Sequence, residues 1–122
     1  MQRNWELVRK LLLKLEEQDG ASGWLEPSAV IGFEESSVAY HMRLLGEAGL
    51  IRFKSLGNLS APDACVALSL TWDGHEFLDK IRKDTMWNKV KGIARSKGLD
   101  LSIDVIKLAA KLAIESMFES GT

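Results

Sequence analysis

At 122 residues the chain is long enough for one domain with a modest core. Hydrophobic residues make up 46% and charged ones 27%, the proportions of a water-soluble globular protein, and no apolar run approaches the roughly 20 residues of a membrane span. The single cysteine, Cys65, excludes an internal disulfide and a cysteine-rich zinc site, and a net charge of −1 requires any attraction to nucleic acid to be local.

The first ten residues, MQRNWELVRK, contain neither a secretory apolar region nor a small-residue cleavage site, so a cytoplasmic location is expected. Residues 4–18 read as a helix, with Asn4 as its cap and Trp5 at the first helical position. At about 100° per residue, Trp5, Val8, Leu11, Leu12 and Leu15 share one face. Leu13 points away from it, toward a second contact surface or simply into solvent. Asp19 to Gly23 is a loop. Trp24 to Gly32 fits one short helical turn, with Pro27 at its first position and Gly32 as a stop, or else an extended segment.

A helix follows from about Glu34 to Ala48. Val38, Met42 and Leu45 recur at i, i+4 and i+7 and define its inner face. Ser36, Ser37, Tyr40, Arg43 and Glu47 lie between them. Gly49 ends the helix, because glycine takes a left-handed conformation without a steric penalty. Leu50–Ser55 and Cys65–Leu70 alternate with period two and read as antiparallel strands, joined by a loop, Leu56–Ala64, that contains Gly57, Asn58 and Pro62.

Thr71 caps the next helix, with Asp73 near its positive end and Phe77, Leu78 and Ile81 as its buried face. Gly74 falls within that arc and suggests close approach of another backbone segment. From Met86 the apolar set (Met86, Trp87, Val90, Ala94) shifts to the opposite side, so a break with a new cap is expected at Asp84–Thr85. That helix ends at Gly98. Ser102 caps a last helix to about Phe118. Its apolar arc is roughly twice the 100° stripe that one core contact needs, so it is expected to touch a second surface besides its own core.

Three stretches carry a family resemblance: RNWELVRKLLLKLEE, GFEESSVAYHMRLLGEAGLI and LTWDGHEFLDKIRKDTMWNKVK. In order and spacing they resemble the bacterial and prophage family catalogued as domain of unknown function 2513, over nearly the whole chain. The helix running through Ala48-Gly49-Leu50-Ile51 into a strand is similar to the join between third helix and wing in bacterial winged-helix repressors. The resemblance implies a winged-helix fold, often encoded in mobile elements, with no established activity. One departure is Glu34, which stands at a cap position where serine or aspartate is expected.

The expected fold is therefore mainly α with a small β-hairpin. It would be a winged helix-turn-helix over residues 1–83, followed by a helical C-terminal extension over residues 84–122 within the same compact unit. The candidate DNA-contacting residues are Ser36, Ser37, Tyr40, His41 and Arg43 on the middle helix, with Arg52 and Lys54 at the base of the hairpin. Glu34 and Glu35 oppose phosphate, and no lysine or arginine occurs from Ser55 to Thr71. A second basic run spans Asp79 to Lys97, with seven cations against two carboxylates. Lys89, Lys91 and Arg95 are its candidate phosphate contacts, against a plain solvated face.

His41 and His75 lack metal-site spacing and sit beside buried faces, so each is expected to be half-buried with one structural hydrogen bond. Trp72 and Trp87 are expected in packing rather than base stacking. Cys65 has no cationic neighbour in sequence and reads as inert. No nucleophile–base pair or phosphate-cradling glycine loop is present, so no enzyme, metal or cofactor is expected. The expected partners are double-stranded DNA and a second copy of the chain, paired through Ile106, Ala109, Leu112, Ala113 and Met117. The alternative is an adaptor that uses the same scaffold to bind another protein.

Overall fold

The computed structural model describes residues 1–18 and 23–120, the last two through their backbone. Of the loop expected at Asp19–Gly23, all but Gly23 lies outside the described residues. Among the described residues, five helices and one hairpin follow in order. They are α1 (Trp5–Glu17), a single 3-10 turn (Pro27–Ala29), α2 (Glu35–Glu47), β1 (Ile51–Ser55), β2 (Cys65–Leu70), α3 (Trp72–Ile81), α4 (Asp84–Ser96) and α5 (Ile103–Ser120). The protein is thus mainly helical with a small antiparallel sheet. Its packing divides into two units, Met1–Glu76 and Phe77–Thr122, and the division falls inside α3.

In the first unit, Asn4 caps α1 as expected: its Oδ1 accepts the backbone N–H groups of Glu6 and Leu7 at 3.0 and 3.2 Å. Leu7, Val8, Leu11, Leu12 and Leu15 are buried. Leu7 takes the place given to Trp5, which sits at the edge of the arc in the first turn, half-buried, with the Arg3 guanidinium 5.3 Å from its ring. Leu13 is also half-buried.

The stretch from Trp24 to Gly32 combines both expected forms. Leu25 is extended and bridges Ala67, each backbone N–H donating to the other's carbonyl. Pro27 then opens one 3-10 turn, where its missing N–H costs nothing. β2 therefore has β1 on one side and Leu25 on the other. The β1–β2 register runs from Ile51 opposite Leu70 to Ser55 opposite Cys65, with a bulge that leaves Leu68 unpaired.

α2 buries Val38, Ala39, His41, Met42 and Leu45. It ends at Gly49, whose φ is +78°: the N–H of Leu50 reaches the Leu45 carbonyl at 3.0 Å and that of Gly49 the Gly46 carbonyl at 3.1 Å. The same corner fixes the start of α3. The Thr71 hydroxyl donates to the Gly49 carbonyl and accepts the Gly74 N–H, while the Thr71 N–H donates to the Leu50 carbonyl. A Cβ on Gly74 would collide with the Leu50 carbonyl, which is the backbone approach expected there.

In the second unit, Phe77, Leu78 and Ile81 are fully buried. The break before α4 falls a residue earlier than expected, with Lys83 as the extended cap residue. α4 buries Trp87, Val90 and Ala94 and packs on α5. Ser102 caps α5 through its Oγ, which accepts the Val105 N–H at 3.1 Å.

Candidate nucleic-acid interface

α2 has two contrasting sides. Its inner side is anchored by Val38, Met42 and Leu45, which are at most 4% exposed. Opposite them, Ser36, Tyr40, Arg43 and Glu47 recur at i, i+4, i+7 and i+11 and form one outward stripe. Ser36 and Glu47 are exposed, and Tyr40 and Arg43 are half-exposed. Ser37 flanks the stripe, half-buried. Of the five candidate residues on α2, Ser36, Tyr40 and Arg43 thus share one outward stripe.

His41 does not belong with them. It is 1% exposed, and both ring nitrogens are engaged. Nε2 accepts the Asn4 backbone N–H at 2.8 Å, and Nδ1 donates to the Ser37 carbonyl, also at 2.8 Å. Accepting at Nε2 while donating at Nδ1 requires the neutral ring. His41 ties the α1 cap to α2 and cannot touch a ligand. Its place on the helix explains this, since it adjoins Leu45 and Val38 on the wheel rather than Tyr40. Tyr40 meets the His41 ring edge-on at 5.8 Å.

At the hairpin, Arg52 folds back along β2, donating to Ser69 Oγ at 3.2 Å and to the Leu70 carbonyl at 3.1 Å. Lys54 is exposed. Cys65 is buried, with its thiol 3.7 Å from the Ala39 carbonyl. Burial pushes this thiol up from its ordinary value, the nearby Arg43 guanidinium pulls it down, and Asp63 adds a smaller upward push. Arg43 is thus the cationic neighbour that the sequence did not reveal, brought in by packing, and desolvation still dominates.

A cavity of about 580 Å³ adjoins the first turns of α2. Glu26, Glu35 and Asp63 stand around it, from three separate segments. Nothing in the sequence groups these carboxylates. The long-range Leu25–Ala67 bridge helps to do so, against a hairpin that the sequence does predict.

In the second unit, Lys89 and Arg95 are exposed, whereas Lys91 lies over the Trp87 ring with Nζ 5.3 Å from its centroid. Trp87 is buried as expected, but Trp72 is 76% exposed, its indole N–H donating to Glu76. His75 is exposed rather than half-buried. On α5, Ile106, Ala109 and Ala113 are already buried within the protomer, so three of the five residues assigned to a dimer contact belong to the core. Leu112 is half-buried and Met117 is 48% exposed. The large apolar side chains left outside are Leu108, Ile114, Met117 and Phe118.

These features define a small, mainly helical protein with one hairpin, in which no helix of the described residues is long and apolar enough to cross a membrane. The chain belongs to the family described as hypothetical protein (DUF2513), whose model matches residues 2–100, from α1 through α4. It is 49% identical over 120 residues to an uncharacterized protein of Haemophilus influenzae (strain ATCC 51907 / DSM 11121 / KW20 / Rd), covering 96% of this chain and 98% of that one. No solved structure matches it.

Proposed function

We propose that the protein is a winged-helix DNA-binding regulator, of a prophage or other mobile element, in which α2 is the recognition helix and the β1–β2 hairpin is the wing. The observation that carries this reading is the outward stripe of Ser36, Tyr40 and Arg43 on a helix whose opposite side is locked by Met42 and His41. The order of helix, bridging strand, turn, helix and hairpin supports it. Such a helix reads base edges in a major groove, which is wide enough to admit it. Lys54 is free to meet a phosphate, whereas Arg52 first has to leave Ser69 and Leu70. Lys89 and Arg95 add sequence-independent phosphate contacts.

The same reading makes the protein a homodimer through the exposed side of α5, because half-sites are commonly read by two-fold dimers. Leu108, Ile114, Met117 and Phe118 replace the buried Ile106, Ala109 and Ala113 as the residues to test.

A gel shift on random duplex across a salt series is the first test. Glu34→Gln with Glu35→Gln should tighten non-specific binding, because both carboxylates oppose phosphate at the start of α2. If that variant and Arg43→Ala both leave DNA affinity untouched in folded protein, α2 is not at the DNA. The carboxylates around the start of α2 favour a second reading, an adaptor that binds another protein without DNA. It predicts that outcome.

A further inference from the structure

The cavity beside α2 lies wholly within the Met1–Glu76 unit, between the 3-10 turn, the start of α2 and the loop from β1 to β2. At about 580 Å³ it falls within the roughly 300–1,000 Å³ of small-molecule sites. Much of its wall is apolar, with Pro27 and Pro62 at the sides and Ala39 and Val66 behind. All its charges are of one sign. Glu26 precedes the 3-10 turn, Glu35 lies in the first turn of α2, Asp63 comes from the loop, and no lysine or arginine lines it. None of the three carboxylates has an ion-pair partner among the described residues. At the back wall the Cys65 thiol feels the Arg43 guanidinium more strongly than Asp63, but Arg43 is not among the residues that line the cavity.

Three carboxylates around one apolar hollow attract a cation seated among them and repel an anion. A neutral apolar molecule would gain nothing from the carboxylates. We propose that this cavity binds a small organic cation, with an ammonium or guanidinium head among Glu26, Glu35 and Asp63 and an apolar body against Pro27, Pro62 and Val66. Ser36, which begins the outward stripe of α2, also lines the cavity, and Glu35 is its neighbour in the first turn. A bound cation cancels charge that opposes phosphate, so cation and DNA each raise the other's affinity. That coupling rests on the DNA-binding reading, whereas the binding itself does not.

The test titrates the full chain with phenylbutylammonium and follows its backbone amides by NMR, with phenylbutanol and phenylbutyrate as neutral and anionic counterparts. Saturable shifts should gather at Ser28, Ser36, Ala64 and Val66, and both counterparts should bind at least about tenfold more weakly, which is about 1.4 kcal/mol. The three carboxylate residues are exposed, so Glu26→Gln, Glu35→Gln and Asp63→Asn together should preserve the fold. They should remove the preference for the cation. Absent or scattered shifts at millimolar probe overturn the proposal, as does equal binding of phenylbutanol or undiminished cation binding by the triple variant. No DNA is present, so the titration decides on the cavity even for a protein that fails to bind DNA. Cation binding without any effect on a gel shift removes the coupling alone.

Discussion

α2 and α5 solve the same packing problem in opposite ways. α2 turns its large apolar side chains inward, with Val38 and Met42 fully buried, and shows solvent Ser36, Tyr40, Arg43 and Glu47. α5 turns mostly small residues inward, with Ala109, Ala110 and Ala113 around Ile106, and leaves Leu108, Ile114, Met117 and Phe118 outside. Alanine lets a neighbouring helix come close without filling much volume. α5 can therefore be held by α4 while its large apolar groups remain unused. The two helices thus offer surfaces of different chemistry, hydrogen-bonding and charged on α2 and apolar on α5.

The largest expected effect tests where each helix keeps its stabilising bulk. Met42→Ala should lower unfolding free energy by about 2–5 kcal/mol, the range for emptying a packed core site. Phe118→Ala removes a larger side chain, but one that is 75% exposed, and should stay within about 0.5 kcal/mol. Urea unfolding of the two variants measures both. Similar losses would mean that α5 is stabilised by burial that the protomer alone does not provide.

Next comes association. Ile114→Glu with Phe118→Glu should weaken a dimer about a hundredfold or more. Each apolar side chain removed from a buried contact is worth about 1.5 kcal/mol or more, and every 1.4 kcal/mol is tenfold. Sedimentation of wild type as a monomer at tens of micromolar would end the dimer idea and leave the face of α5 to a different partner.

Elements set by local chemistry were legible in the sequence. Asn4, Thr71 and Ser102 cap the helices assigned to them, Gly49 ends α2, and Gly74 marks a backbone approach, since caps and stops depend on residues within a few positions. Features set by long-range packing were not. The Leu25–Ala67 bridge joins segments that share no local pattern, and the same bridge helps to gather Glu26, Glu35 and Asp63. Residue type alone puts His41 among DNA contacts, whereas the helical wheel sets it beside Leu45, and its two hydrogen bonds follow from that position. On α5 the width of the apolar arc was visible, but not which part faces α4, because alanines and large aliphatic residues alternate around it.

A comparable effect is expected on the polar helix. Arg43→Ala should cost about 1–3 kcal/mol of specific DNA binding if Arg43 reaches a base, and relax preference at that position. Lys89→Ala should weaken all sequences alike and lower the salt slope by about one unit for one lost phosphate contact. Anisotropy titrations at several salt concentrations separate the two. A uniform loss for Arg43→Ala, with preference intact, would make it a phosphate contact and reduce the contrast between the helices to one of charge.

The smallest effect concerns Cys65, which lies behind the polar face of α2. Its thiol is raised first by burial, lowered by Arg43 and raised a little by Asp63. Raising the folded value means that folding favours the protonated thiol. The associated stability is fully present below the unfolded thiol value of about 8.5 and is lost as pH rises through the folded value. Unfolding free energy should therefore decline on the alkaline side, and Cys65→Ser should flatten that decline. The neighbours supply the sharper reading. Arg43→Ala removes the one downward influence, so alkylation of the folded protein at fixed mildly alkaline pH should slow, because only the thiolate reacts. Asp63→Asn should quicken it. If Arg43→Ala instead speeds alkylation, the guanidinium acts chiefly as a cover over the thiol. Arg43 would then be partly committed to packing, and its place in the outward stripe of α2 would have to be shared with that role.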